Sequence, residues 1–171
     1  MPETNAYRIR RAATDDIRPA LEMKLTAWRQ AYGTLRDEAF FTYHQQQLDA
    51  QVAWWERGLA AGAEFYIAED THGNIIGLAG ATPVIDEDAD AGVQIELGML
   101  YVLAEHYGTG LGQHLFDVVI GQRDALVWVV EGNQRAYSFY QKQGFIPDGT
   151  SEELTGSWAG LREQRMVRRR G

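Results

Sequence analysis

The chain has 171 residues, no cysteine and four histidines, and its 16 Lys and Arg against 24 Asp and Glu leave a net charge of −8. The lack of cysteine excludes disulfides, thiolate metal sites and a cysteine nucleophile, and His44, His72, His106 and His114 show no metal-ligand spacing, so no metal is expected. The negative field argues against a nucleic-acid partner, and no window approaches the roughly 18 apolar residues of a membrane helix, so no membrane partner is expected either.

The length suits a single domain, residues 1–171, that buries roughly two-thirds of its unfolded surface. The N-terminal stretch carries Glu3, Arg8, Arg10 and Arg11 without a hydrophobic signal region, which gives a cytoplasmic expectation. Tyr7 to Arg11 predicts a short opening strand. Thr14 is placed to cap a helix with Asp15 and Asp16 in its first turn, with Ile17, Leu21, Leu25, Trp28 and Tyr32 along one face and Gly33 at its end. A second helical region, about Asp37 to Leu59, is expected to break once and carries Phe40, Phe41, Trp54 and Trp55. Phe65 to Glu69 and Ile75 to Ala81 read as a hairpin across Thr71-His72-Gly73-Asn74. The acidic stretch Asp86-Glu87-Asp88-Ala89-Asp90 reads as a solvated loop.

The apolar run Leu97 to Leu103 predicts a buried strand, and a helix follows with Leu111, Leu115, Val118 and Val119 at helical spacing. Ala125 to Val130 reads as a strand and Gln134 to Gln143 as a helix closed by Gly144. Final strands are expected near Phe145 and over Leu161 to Val167, and Arg168-Arg169-Arg170 reads as a solvated end. Strands alternating with helices argue for an α/β domain.

Between the central strand and its helix lies Tyr107-Gly108-Thr109-Gly110-Leu111-Gly112. A glycine-rich turn delivered onto a helix N-terminus suits a phosphate anion, because side chains are absent, amides lack intrahelical partners and the dipole favours negative charge. The dinucleotide spacing fails, since the third glycine position falls on Gln113. A P-loop fails too, since the only lysines are Lys24 and Lys142.

The order Leu100-Tyr101-Val102, then Tyr107-x-x-Gly110-x-Gly112, resembles the acetyl-CoA-binding motif of the GNAT superfamily of acyl-CoA N-acyltransferases. A second block carries the same resemblance: Val127-Trp128-Val129-Val130, then Asn133-x-x-Ala136-x-x-Phe139-Tyr140-x-x-x-Gly144-Phe145. It extends to Ile9-Arg10-x-Ala12, Trp28-Arg29-x-x-Tyr32 and Arg165-Met166-Val167, nearly the whole chain.

The resemblance implies a mixed, mostly antiparallel α+β sheet, splayed near its centre, with helices on both faces. It implies acetyl-CoA as co-substrate, with pyrophosphate on the Tyr107 to Gly112 segment (Tyr107, Gly108, Thr109, Gly110, Leu111, Gly112). Pantetheine is expected along the backbone of Leu100, Tyr101 and Val102, with Asn133 also touching cofactor. Tyr140 matches the tyrosine that protonates the leaving thiolate, and a phenol with a pKa near 10 holds that proton at neutral pH. Tyr107 departs from the Arg or Gln usual in the family, which removes a charge contact. Trp28 and Tyr32 read first as helix core and second as one wall of the acceptor pocket.

Glu96 stands in an apolar strand, where a carboxylate needs a partner or a task. It is the candidate general base, with Glu131 as substitute. A base matters because the attacking amine must be neutral: a lysine-like amine gives up about 3.4 pK units at pH 7, roughly 4.6 kcal/mol, and an α-amine under one unit, about 1 kcal/mol. The expected reaction is direct attack of a primary amine on the thioester in a ternary complex, the acceptor being a small-molecule amine or a peptide N-terminus. The alternative is a non-catalytic acyl-CoA-binding sensor on the same fold. Trp54 and Trp55 fit either a helix core or a homodimer face, and the acidic stretch, if it overhangs the acceptor mouth, would draw in a cation.

Overall fold

The computed structural model describes residues 6–171, and Glu3 lies outside them. The strands are β1 (Tyr7–Arg11), β2 (Tyr66–Asp70), β3 (Ile75–Pro83), β4 (Ile95–Val102), β5 (Ala125–Val130), β6 (Ile146–Glu153) and β7 (Arg162–Arg168), in one seven-stranded sheet of order β1-β2-β3-β4-β5-β7-β6. The helices are α1 (Ile17–Tyr32), α2 (Glu38–Gln46), α3 (Leu48–Ala60), α4 (Leu111–Val119) and α5 (Gln134–Lys142). The result is a mixed α/β fold on a mostly antiparallel open sheet, in which β4 pairs parallel to β5 through Glu96 and Leu126.

The chain divides into two compact units. One runs up to Gly80 and includes Met99–Val119; the other joins Ala81–Gly98 to Ile120–Gly171. In the first unit α1 buries Ile17, Ala20, Leu21, Met23, Lys24, Ala27, Trp28 and Tyr32, so Lys24 occupies the apolar stripe where Leu25 was expected and Leu25 is only partly buried. The cap also differs from expectation. Thr14–Asp16 forms a 3₁₀ turn, and the Asp16 carboxylate, not Thr14, accepts the Ala13 amide at 2.7 Å while pairing with Arg10.

The break between α2 and α3 falls at Gln47, and Asp37 caps α2 by accepting the Phe40 amide. Trp55 packs on the core with its ring 4.9 Å from that of Phe65, whereas Trp54 is 66% exposed. The hairpin turn is held by Asp70, whose carboxylate accepts the His72 and Asn74 amides. Helix α4 lies tight on β3: a Cβ at Gly77 would meet the Leu115 side chain at 2.8 Å and force it to shift. Its buried face is Leu111, Leu115, Phe116 and Val119, and Val118 points outward.

In the second unit Leu126 and Val167 pack with Ala91 and Val93, and Trp128 flanks them. The acidic stretch is not a solvated loop. Asp86–Ala91 is a 3₁₀ turn with Asp88 buried, and Arg165 binds Asp88 at 3.0 Å, Asp90 at 2.8 Å and Asp148 at 2.7 Å. A guanidinium with five donors matches several carboxylates at once, which explains why arginine sits there. The basic tail is not wholly solvated either. Arg168 is 1% exposed and donates to the carbonyls of Gly121, Arg123 and Gln143, and Arg169 donates to Ala91 O. No helix among the described residues is long and apolar enough to cross a membrane.

Candidate active site

The glycine turn of the first unit has the form an anion site requires. After the 3₁₀ turn Ala104–His106, Gly108 (φ 74°) and Gly110 (φ 87°) adopt left-handed conformations that bring the backbone straight onto α4. A Cβ at either glycine would meet nothing within 4 Å, so the space beside the backbone is open and the glycines serve conformation and access together. Gly112 lies inside the first turn of α4 without positive φ. Thr109 donates its hydroxyl to His106 O at 2.7 Å, and its oxygen reaches only the Leu111 amide, at 3.4 Å. The open space beside Gly108 and Gly110 thus lies at the start of α4, at the positive end of its helix dipole. Tyr107 ends the 3₁₀ turn, its amide donating to Ala104 O.

The strand leading into this turn is less buried than its composition suggested. Leu97 and Val102 are buried, Met99, Leu100 and Tyr101 are half-buried, and Gly98 is exposed. Tyr101 places its ring 6.2 Å from that of Trp28. The structure thus joins two of the predicted residues, one from the cofactor strand and one from the expected acceptor wall. Trp28 also meets Phe40 at 6.2 Å and His44 at 5.2 Å. Trp28 and Tyr32 are each 8% exposed, so the core reading holds for most of both rings.

In the second unit Glu96 is half-buried at the β4–β5 pairing. Burial first, and the charge of Asp88 second, push its carboxyl above the usual carboxylate range. Its register opposite Leu126 puts it on the face that carries Trp128, Glu163 and Arg165. Trp128 donates its indole N–H to Asp88 at 3.1 Å and so ties that face to the acidic turn.

Tyr140 is buried on α5, its ring 5.4 Å from Phe139 and 5.7 Å from Phe145. Phe145 lies under the Arg168 guanidinium, and Arg168 is on the opposite face of β7 from Arg165 and Val167. Candidate base and candidate acid therefore stand on opposite faces of the second unit's strands. Asn133 accepts the Ala136 amide as the cap of α5 and lines a small hollow of about 160 Å³ with Gln134, Tyr137 and Gln164. Glu131, the substitute base, is exposed beyond the end of β5.

Sequence reasoning missed three features. Glu163 on β7 faces Glu152 across the β6–β7 ladder, and burial, then the Glu152 carboxyl, push its pKa to about 7. Asp88 and Arg165 form the charged centre of the unit, between residues 77 apart in sequence. Lys24 could have been found from its place in an apolar stripe, three residues after Leu21 and four before Trp28. No group of three or more metal-ligating side chains among the described residues could hold a metal ion.

This fold and turn belong to a defined class. Residues 61–147 match the family described as Acetyltransferase (GNAT) domain, half of the chain, and the chain belongs to that family. Among curated proteins it is 27% identical over 150 residues to the Mycobacterium tuberculosis protein named "Probable N-acetyltransferase Rv2775", covering 83% of this chain and 81% of that one. Among solved structures, the PaiA N-acetyltransferase of Thermoplasma acidophilum in complex with coenzyme A is 18% identical with a TM-score of 0.67, covering 95% of this chain and 98% of that one. The ribosomal-protein-alanine N-acetyltransferase of Brucella melitensis is 21% identical with a TM-score of 0.67, covering 94% and 98%. At such identities the structural likeness speaks for the fold.

Proposed function

We propose that this protein moves an acetyl group from acetyl-CoA to a primary amine by direct attack. The observation that carries the reading is the open, doubly left-handed turn at Gly108 and Gly110 that presents the start of α4. The coenzyme A complex of the Thermoplasma protein supports it, as does the matched family. In the first unit, the amides around Gly108, Gly110 and Gly112 would take the pyrophosphate, with Thr109, Leu111 and Tyr107 shaping the turn. The backbone of Leu100, Tyr101 and Val102 would take the pantetheine arm. In the second unit, Asn133 is the further cofactor contact, Glu96 the base and Tyr140 the acid.

The amine nitrogen attacks the thioester carbonyl, a C–N bond forms, the C–S bond breaks, and the electron pair leaves on sulfur. Glu96, directly or through water, takes the proton lost by the amine, and the Tyr140 hydroxyl gives a proton to the thiolate. With no cysteine in the chain, no cysteinyl acyl-enzyme can form, which agrees with direct transfer. The raised pKa of Glu96 makes its carboxylate a stronger base than an ordinary glutamate.

Calorimetry with coenzyme A tests the cofactor half of this reading. Wild type should bind with a Kd in the micromolar range, and Gly110→Ala should weaken binding about tenfold, because alanine resists φ 87° and its methyl enters the open space. Equal binding by both proteins would sink the assignment of the anion site.

A further inference from the structure

Lys24 is 8% exposed, and it is buried without a counter-charge: among the described residues no carboxylate forms an ion pair with it. The two other buried cations of long side chain are satisfied, Arg165 by three carboxylates and Arg168 by three carbonyls. Lys24 instead holds its ammonium 4.5 Å from the Trp28 ring centroid and 5.5 Å from that of Trp55. Aromatic faces attract a cation but do not replace the hydrogen bonds that an ammonium loses on leaving water.

A second base converges on the same ring. His44 of α2 meets Trp28 edge-on at 5.2 Å, and burial, then the charge of Lys24, lower its pKa. Two helices thus bring two basic groups to one indole in a chain of net charge −8. Tyr101 also meets this indole, 6.2 Å from Trp28, and lies inside the strand segment assigned to pantetheine. One aromatic ring separates the unneutralised ammonium from that segment.

We propose that Lys24 is a specificity residue that takes a carboxylate carried by the acceptor, so that the acceptors are amino acids or other amines bearing a carboxylate. The proposal rests on the transferase reading above and names its acceptor class. The carboxylate supplies the counter-charge that the protein does not, and the aromatic walls of Trp28 and Trp55 exclude the water that would compete for it. Burial holds the Lys24 pKa down at about 8, so a bound carboxylate also keeps the ammonium charged.

The test compares three acceptors on one carbon skeleton: an amino acid, its near-isosteric carboxamide, and the amine lacking the carboxyl group. Turnover is followed by thiol release from acetyl-CoA, and binding by tryptophan emission, which reads the cluster without chemistry. Wild type should favour the amino acid at least about tenfold in kcat/KM over both others and should bind it saturably. In Lys24→Met that preference should fall to within about threefold, chiefly through KM, while the melting temperature stays equal or rises because an unpaired buried charge has gone. Lys24→Arg should restore part of the preference. A preference unchanged in Lys24→Met, or a wild type indifferent to the carboxyl group, overturns the inference. Carboxylate-dependent binding that needs Lys24, with no turnover of any amine, would uphold it and overturn the transferase reading instead.

Discussion

Glu96 draws its base character from two causes that act in the same direction. Half-burial disfavours the charged form, and Asp88 adds a like charge, so the carboxyl binds its proton more tightly than an ordinary glutamate. The base form is lost as pH falls through this raised value, and activity should fall with it. The low-pH limb of kcat should therefore have its midpoint above the ordinary 4.5. In Glu96→Gln that limb should vanish and kcat for a high-pKa amine should drop by about 10²- to 10⁴-fold, with a smaller loss for an α-amine. A rate and profile unchanged by the substitution, with high-pKa amines still turned over best, would remove Glu96 as base.

Glu96 was legible because a carboxylate stands out in an apolar run. Lys24 carried the same signal at helical spacing from Leu21 and Trp28, but a stripe drawn through Leu25 passes beside it, and the packing shows that α1 turns Lys24 inward. The Arg165 web left no local trace, since its partners lie 77, 75 and 17 residues away.

Among the elements, local signals placed most of the strands and helices. Alternation and helical spacing locate β1 and β5 to the residue, and the outer ends of the α2–α3 region and both ends of α5 within one position, because turn glycines and caps are local chemistry, whereas the break at Gln47 carried no such signal. The cap of α1 failed because Arg10 and Glu69 recruit Asp16 into an ion-pair network across the sheet, a contact no local rule contains. The solvated loop and tail failed for the same reason: Arg165 and Arg168 are satisfied by distant partners.

The β6–β7 ladder carries its own consequence. Glu163 and Glu152 face one another, and burial with this like-charge pairing raises Glu163 from 4.5 to about 7. The folded state thus holds this proton more tightly than the unfolded chain does. The stability it contributes is present below about pH 4.5 and is lost as pH rises towards 7. Glu163→Gln should leave stability unchanged near pH 4 and raise it at pH 8 by on the order of 1 kcal/mol, after discounting for solvent screening of a half-exposed group. That corresponds to about 2–4 °C in Tm for a chain of this length. A destabilised Glu163→Gln at pH 8 would show that the carboxylate is held by a favourable contact instead.

For the whole molecule, the family follows from the ordered glycine and Asn-to-Phe blocks and from the matched domain, and the acidic balance constrains the acceptor less than it first suggested. Asp88 and Asp90, half of the charged side chains expected to attract a cation from the acidic stretch, are bound by Arg165. The first unit meanwhile buries an unneutralised ammonium beside aromatic rings. Net charge sets a long-range field, but recognition is decided by the few groups removed from water.

Amine-dependent transfer with Tyr140 as the acid is the step on which the rest depends, and thiol release from acetyl-CoA measures it directly. The absence of cysteine means the protein adds no background to a thiol reagent. Wild type and Tyr140→Phe should be run side by side across amino acids, polyamines and peptide N-termini. Amine-dependent release is expected from wild type, with a loss of about 10²-fold or more in kcat in Tyr140→Phe and coenzyme A binding retained. Coenzyme A binding without release for any amine, or full activity in Tyr140→Phe, would overturn this mechanism.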